Sequence, residues 1–484
     1  MHPHRPPLAF PAVPVFAPAS APAGAGAVPR SPRARSRAAA PAGAAPRPAP
    51  APGASRASRS PRPDRPPRSP RSWPARLRRA WDRPLTAYYV LLGTGLLITL
   101  LGLVMVFSAS QIQALADGLP ATYYFRKQLA AAALGTVLLL IASRMPVKLL
   151  RALTYPFLLG TIVLLVLVQV PGIGVTRNGS TNWIPLAGPF MLQPSEFGKL
   201  ALVLWGADLL ARKGERRLLV QWRHLLIPLV PGGLLISGLV LFGGDLGTVL
   251  ILTAVLFGLL WLAGAPLRLF AGALAVAGTL VGMLIAAAPH RMERLECVLA
   301  EPTAVDQCWQ ALHGLYAFAS GGWFGSGLGA SVEKWGELPE PHTDFIFAIA
   351  GEELGLTGTL SVLGLFAALG YAGIRVAGRT EDAFVRYAAG GVTTWLMAQA
   401  VINIGAVLGL LPIAGVPLPL FSYGGSALLP TMFAVGLLIA FARSDPAARA
   451  ALAARGRPAG EKKPAGLRWI TMRRRAKRPP SGER

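Results

Sequence analysis

Residues 87–108, AYYVLLGTGLLITLLGLVMVFS, decide the fold. The stretch carries no Asp, Glu, Lys, Arg or His, and about 20 such residues cross a bilayer as one helix. Nothing comparable precedes Ala87, so this first span is expected to be an uncleaved anchor and not a signal peptide. Further runs of suitable length lie near 127–143, 152–170, 194–211, 224–242, 245–263, 268–288, 345–374, 387–411 and 425–442. The expectation is an all-α polytopic membrane protein of about ten transmembrane helices. The run at 194–211 is the least apolar, because it holds Glu196, Lys199 and Asp208.

Composition agrees with that class. The 484 residues are 53% hydrophobic and only 14% charged, and the net charge of +26 is concentrated at the two ends. Residues 1–84 are rich in Pro, Ala and Arg, with Asp64 and Asp82 their only acids; residues 444–484 are basic again. Both are expected to be disordered cytoplasmic tails flanking a membrane domain at 85–443. Basic tails beside membrane helices suit anionic lipid better than nucleic acid. Loop charges set the orientation: Arg144, Lys148, Arg151, Arg212, Lys213, Arg375, Arg379 and Arg386 fall on one side. The positive-inside rule puts that side, and both termini, in the cytoplasm. One large loop, about 289–344, is then outside.

That loop holds the most informative motif. Gly325-Ser-Gly-Leu-Gly329 and Lys334 are followed by Leu338-Pro-Glu-Pro-His-Thr-Asp-Phe-Ile-Phe347. Small residues, a lysine, a proline break and an acid mark an ordered re-entrant segment. Asp344 stands where the polar loop meets the next apolar run, where partial desolvation makes a carboxylate a better base. On the residues alone a helix-capping role for Asp344 is preferred. Arg291, Arg294 and Lys334 are cations suited to a pyrophosphate, and His342 to a proton shuttle, against a default of solvated loop face and structural hydrogen bond. Cys297 and Cys308, the only cysteines, share the loop, so a disulfide and two separate thiols are both open.

A second polar cluster runs from Asn178-Gly-Ser-Thr-Asn-Trp183 to Gln193-Pro-Ser-Glu-Phe-Gly-Lys199. Glu196 and Lys199, three apart, share a helix face and are able to pair, for function or for support. Asp245, Glu352 and Glu353 are further intramembrane acids. Pro417-Leu-Pro-Leu-Phe-Ser-Tyr-Gly-Gly-Ser426 is irregular backbone that needs shelter at membrane depth. No Walker A loop, HExxH or CxxC occurs, which counts against ATP-driven transport and zinc hydrolysis.

Taken in order, Arg83-Pro-Leu-Thr-Ala-Tyr-Tyr89, Gly102–Ser110, the Asn-Gly…Gln-Pro-Ser-Glu block, Asp245-Leu-Gly-Thr248, the Leu338–Phe347 motif and the Pro417–Ser426 motif resemble the SEDS family (FtsW, RodA and SpoVE) over about 83–443. The opening at Arg83 and the run 347–353 look closer to the division branch, FtsW, of high-GC Gram-positive bacteria than to the elongation branch, RodA. The resemblance implies an inverting peptidoglycan glycosyltransferase that polymerises lipid II outside the membrane, at the septum. Asp344 is then the essential aspartate, which reverses the capping preference. Lys334, Arg291, Arg294, His342, Glu196, Lys199 and Ser426 become substrate-groove candidates. It also implies a class B penicillin-binding protein and division-site proteins as partners, alongside membrane lipid. No cofactor is required by the motifs, and a divalent cation at Asp344 with Glu340 is left open. Thr181-Asn182, Gly243-Gly244 and Ala427 depart from the family's usual residues. A lipid II flippase using the buried acids, a division scaffold acting through the tails, and an elongation polymerase are the competing expectations.

Overall fold

The computed structural model describes residues 83–177, 179–186, 190–216, 218–286, 308–336 and 338–455. The helices are α1 Thr86–Ala116, α2 Tyr123–Ala142, α3 Val147–Leu167, α4 Pro194–Glu215, α5 Trp222–Leu226, α6 Leu229–Phe242, α7 Leu246–Leu262 and α8 Leu267–Ala286. After them come α9 Trp309–Gly321, α10 Ile346–Arg379, α11 Ala383–Val407, α12 Gly425–Ser444 and α13 Pro446–Arg455.

Among the described residues each apolar run of the sequence is largely helical, the run at 224–242 being divided between α5 and α6. Among the described residues, seven spans are long and apolar enough to cross a membrane: α1, α2, α3, Arg223–Phe242, α10, α11 and α12. This is fewer than the ten expected, and α4 shows one physical reason. It carries charge because it faces protein on nearly every side, packing against α3, α7 and α11 with Glu196, Lys199 and Asp208 all buried. Its sequence therefore reads as that of a central helix and not of a lipid-facing one.

Two features depart from the expectation. Three short antiparallel strands, β1 Val175–Arg177, β2 Ser180–Pro185 and β3 Met191–Leu192, form a sheet ordered β1-β2-β3 between α3 and α4. The C-terminal tail also stays ordered beyond residue 444, since 446–455 is helix. Asp445 accepts the Ala447 amide at 2.9 Å, Pro446 follows it, and Ala448 is fully buried, so a capped start carries an alanine-rich turn onto the bundle. The expected tails at 1–82 and 456–484 lie outside the described residues.

One end of the bundle gathers the loops that matter. The β2 strand bonds to the α6–α7 turn (Thr181 N to Gly243 O, 2.9 Å), and Tyr423 N donates to His342 O at 2.9 Å. The other end is basic, where Arg443 of α12 donates to the Ser143 carbonyl at 3.2 Å and Asp208 takes Arg151 and Arg212.

At the loop end α10 is broken. Gly355 sits at φ 67°, ψ −165°, in the left-handed half of the map that glycine enters without penalty. The segment 322–327 fills the break. Ser326 N and Gly327 N donate to the carbonyls of Glu352 and Glu353, while Leu356 N and Thr357 N donate to those of Gly322 and Trp323. The carbonyls and amides freed by the break are thereby satisfied by protein.

Candidate functional site

Asp344 lies one residue before the N-cap of α10, which is Phe345 and makes no side-chain capping bond. Its backbone is fixed by Asn403 of α11, whose Nδ2 donates to Asp344 O and to Val416 O, each at 2.8 Å. Beneath the carboxylate is Gly415, at φ +66°; a Cβ there would come within 3.7 Å of Asp344 Oδ2. The side chain is half-buried, at the rim where loop meets helix. Such a site desolvates a carboxylate without enclosing it.

The segment opposite, 412–424, is irregular and largely buried. Three side-chain amides satisfy its backbone. Gln399 Nε2 donates to Pro417 O at 2.8 Å, and Asn403 holds Val416 O. Gln128 donates to Ser422 O at 3.0 Å and accepts from Gly424 N at 3.1 Å. Where this segment crosses α1, Gly102 leaves room: a Cβ there would be 2.6 Å from Phe421 O. The need for sheltered backbone at Pro417–Ser426 is met in this way.

Glu196 and Lys199 pair as their spacing predicts, Nζ to Oε1 at 2.7 Å, both buried. Lys199 also donates to Gln399 Oε1 at 2.9 Å, which accepts from Trp395 Nε1 as well. One turn of α11 thus carries the pair's amide partner, Gln399, and the amide that holds Asp344, Asn403. Ser426 Oγ accepts from Gln193 N at 2.7 Å and so joins the starts of α12 and α4.

Lys334 lies below the loop surface. Its Nζ donates to Gly329 O (2.7 Å), Glu353 Oε1 (2.8 Å) and Ser108 Oγ (3.2 Å), and Ser108 donates in turn to Glu353. An ammonium has three N–H donors, and all three have protein acceptors here. Glu352 accepts from Ser331 Oγ at 2.5 Å and Val332 N at 2.7 Å. Asp245 is the N-cap of α7, accepting from Thr248 N at 2.8 Å.

His342 is buried between the rings of Tyr124 and Tyr423, centroids 5.1 and 5.2 Å away. Burial pushes its pKa down, with Glu340 and Asp117 pulling the other way, so the ring is neutral at neutral pH. Burial pushes the Tyr423 phenol up to about 12. Tyr124 Oη donates to Asp117. Glu340 Oε2 accepts from Thr343 at 2.8 Å, and among the described residues no three His, Cys, Asp or Glu gather as metal ligands. Cys308 is disulfide-bonded. Arg291, Arg294 and Cys297 lie outside the described residues.

Asp344 and His342 therefore lie on one short segment at the loop end, and the Glu196–Lys199 pair reaches the helical turn that holds Asp344 through Gln399, whereas Ser426 ties α12 to α4 through Gln193. Lys334 lies apart, in an ion pair of its own. Sequence reasoning missed Gln128, Gln399, Asn403 and Ser108. Their signal was present: polar side chains set within runs apolar enough to cross a bilayer, where a polar group needs a partner.

Residues 88–446 match the profile of the FtsW, RodA and SpoVE family, described as cell cycle proteins. The chain belongs to this family. The probable peptidoglycan glycosyltransferase FtsW of Mycobacterium tuberculosis is 42% identical over 377 residues, covering 78% of this chain and 71% of that protein. The stage V sporulation protein E of Bacillus subtilis is 36% identical, covering 72% and 94%. Among solved structures, the rod shape determining protein RodA of Thermus thermophilus aligns with TM-score 0.55 and 28% identity, over 74% of this chain and 97% of that one. A chain from work on a peptidoglycan synthase complex that coordinates polymerization and crosslinking aligns with TM-score 0.60 and 27% identity, with the same coverage. Within this FtsW/RodA/SpoVE family the chain is a multi-pass membrane protein.

Proposed function

We propose that the protein is a peptidoglycan glycosyltransferase that polymerises lipid II on the outer face of the cytoplasmic membrane during septal wall synthesis. The observation that carries this is the placement of Asp344 in a chain 42% identical to a probable FtsW glycosyltransferase: a half-buried carboxylate on backbone fixed by Asn403 and backed by Gly415. In this reading Asp344 takes the proton from the acceptor sugar hydroxyl as that oxygen attacks the anomeric carbon of the donor. The bond to the pyrophosphate breaks, undecaprenyl pyrophosphate leaves, and the anomeric centre inverts. Arg291 and Arg294 bind the leaving pyrophosphate. His342 stays neutral beside the reacting groups.

Lys334 takes a different part. With its three donors engaged by Gly329, Glu353 and Ser108, it holds the loop from beneath and orients the site without touching the diphosphate. Glu196, Lys199 and Ser426 support the groove floor. The disulfide of Cys308 closes on Cys297, the chain's other cysteine. Both termini are cytoplasmic and the loop end faces out, in keeping with the basic residues at the opposite end. A class B penicillin-binding protein supplies the crosslinking step, and division-site proteins recruit the pair to the septum.

The flippase reading draws on Asp245, Glu352 and Glu353 as relay groups. Each is engaged in a structural bond instead: a helix cap, a loop anchor and an ion pair. The deciding experiment supplies labelled lipid II to the purified protein, with and without its transpeptidase. Glycan ladders from the wild type and none from Asp344→Asn support the reading; ladders from both defeat it.

A further inference from the structure

The loop between α9 and α10 has its polarity reversed. Trp323, Phe324, Leu328, Val332 and Trp335 are 70%, 83%, 61%, 67% and 68% exposed. Residues 322–335 contain two ionisable side chains, Glu333 and Lys334, and both face inward. Glu333 pairs with His313 at 2.6 Å and Lys334 with Glu353 at 2.8 Å, with little of either acid or either base exposed. A loop in water shows its charges and hides its aromatics; a surface in lipid does the opposite.

Two helices measure the depth of this patch independently. On α10 the lipid-type exposure begins at Leu356 and continues through Leu360, Leu363, Tyr371 and Ile374, ending beside Arg375; everything from Ile346 to Glu353 is buried. From Leu356 to Arg375 a helix rises about 28 Å. The hydrocarbon core of a bilayer is about 30 Å thick. Leu356 therefore stands at the hydrocarbon boundary on the loop side. Trp323 is tied to that level, since Thr357 N donates to Trp323 O at 3.2 Å and Leu356 N to Gly322 O at 2.9 Å.

On α1 the closely spaced exposed apolar run begins at Tyr89 and ends at Phe107; beyond it Leu115 alone is exposed, two turns on and beside the exposed Asp117. From Tyr89 to Ser108 the rise is again about 28 Å. Ser108 donates to Glu353 at 2.6 Å and accepts from Lys334, so this second ruler ends at the same level, next to Val332 and Trp335. Tryptophans at that height sit where such amphipathic rings are favoured.

From these observations we infer that the segment 322–335 is a membrane-interface anchor, its Trp323, Phe324, Leu328, Val332 and Trp335 side chains seated in the lipid leaflet on the loop side. The occupant of this surface is lipid. The loop that leads to Asp344 is then held at a fixed height over the bilayer by its own aromatic residues, in addition to its bonds to α10. This goes beyond the glycosyltransferase reading and does not depend on it.

Nitroxide labels test it. Phe324→Cys and Trp335→Cys are labelled separately in the full chain and reconstituted into vesicles of phosphatidylethanolamine and phosphatidylglycerol. Leu363→Cys serves as a deep reference and Ala116→Cys, at the exposed end of α1, as an aqueous one. Collision with oxygen relative to a water-soluble nickel chelate gives depth. The expected ratio at 324 and 335 is severalfold above that at 116 and below that at 363. A ratio equal to that at 116 overturns the inference. So does a label at 324 that is aqueous alone and becomes shielded only on adding the transpeptidase, since the surface would then belong to a protein partner. Both labelled variants alter exposed side chains, and a monodisperse elution profile confirms that each is folded.

Discussion

Asn403 donates its one side-chain amide to the backbone of both Asp344 and Val416, at 2.8 Å each. Two loops far apart in sequence thus share a single donor group, buried in α11. Whatever Asp344 does chemically, its position depends on a residue that never reaches solvent.

Replacing Asn403 with Leu keeps the branching at Cγ, in a bulkier side chain, and removes the donor. Two buried carbonyls lose a partner, at about 1–3 kcal/mol for each left unsatisfied. Because an error of about 1 Å in a reacting group costs on the order of 100-fold, turnover of lipid II is expected to fall by roughly that factor, with KM changed much less. Steady-state polymerisation over a range of lipid II concentrations checks this. A parallel rise in KM with kcat intact would assign Asn403 to substrate binding instead.

The Lys334–Glu353 pair is buried on both sides. Lys334→Met leaves Glu353 charged and without its cation, and breaking such a pair costs about 3–5 kcal/mol. The double variant Lys334→Met with Glu353→Gln removes the stranded charge, so it is expected to unfold at a higher temperature than the single one. Thermal unfolding in detergent reads the difference. If the single variant is as stable as wild type, the pair has no structural part.

Gly355→Ala meets two obstacles. The position has φ 67°, and the added Cβ would lie 2.3 Å from Gly325 N. The segment 322–327 is expected to leave the break in α10, exposing the amides of Ser326, Gly327, Leu356 and Thr357. Hydrogen exchange at those four amides is expected to accelerate together, while exchange in α11 stays slow.

His342 gives a pH dependence of defined sign. Its folded pKa lies below the ordinary 6.5, through burial, so between the two values the unfolded chain binds a proton that the folded one does not. Its contribution to stability is complete above pH 6.5 and declines as pH falls below it. His342→Gln is expected to flatten the decline in melting temperature between pH 7 and pH 5. An unchanged slope would mean that other groups set it.

Much of this architecture is legible in the residues. The apolar runs became helices because about 20 such residues have few alternatives in lipid. Glu196 and Lys199 met because i and i+3 share a face. The break at Gly355 was hidden inside a run that reads as one span, since one glycine does not reveal whether another segment will fill the gap. Asn403 and Gln399 drew no attention in the sequence, because the backbone carbonyls to which they donate leave no mark there. Lys334 looked available to a ligand because its acceptors, Ser108 and Glu353, belong to two other elements. The strands at 175–192 are too short for a periodic pattern to emerge.

The clip across the α10 break also bears on how the chain is assembled. Ser326 and Glu352 are only 26 residues apart, so closing the segment onto the helix is a local event of small entropic cost. It requires nothing beyond Thr357. The loop between α9 and α10 can therefore acquire its shape while α11 and α12 are still being synthesised. These late helices then arrive at a finished surface, and the last bonds to form are those from Asn403 to Asp344 and from Tyr423 to His342. The site is completed by the end of the chain, so a product truncated before α11 would present a folded loop with no fixed aspartate.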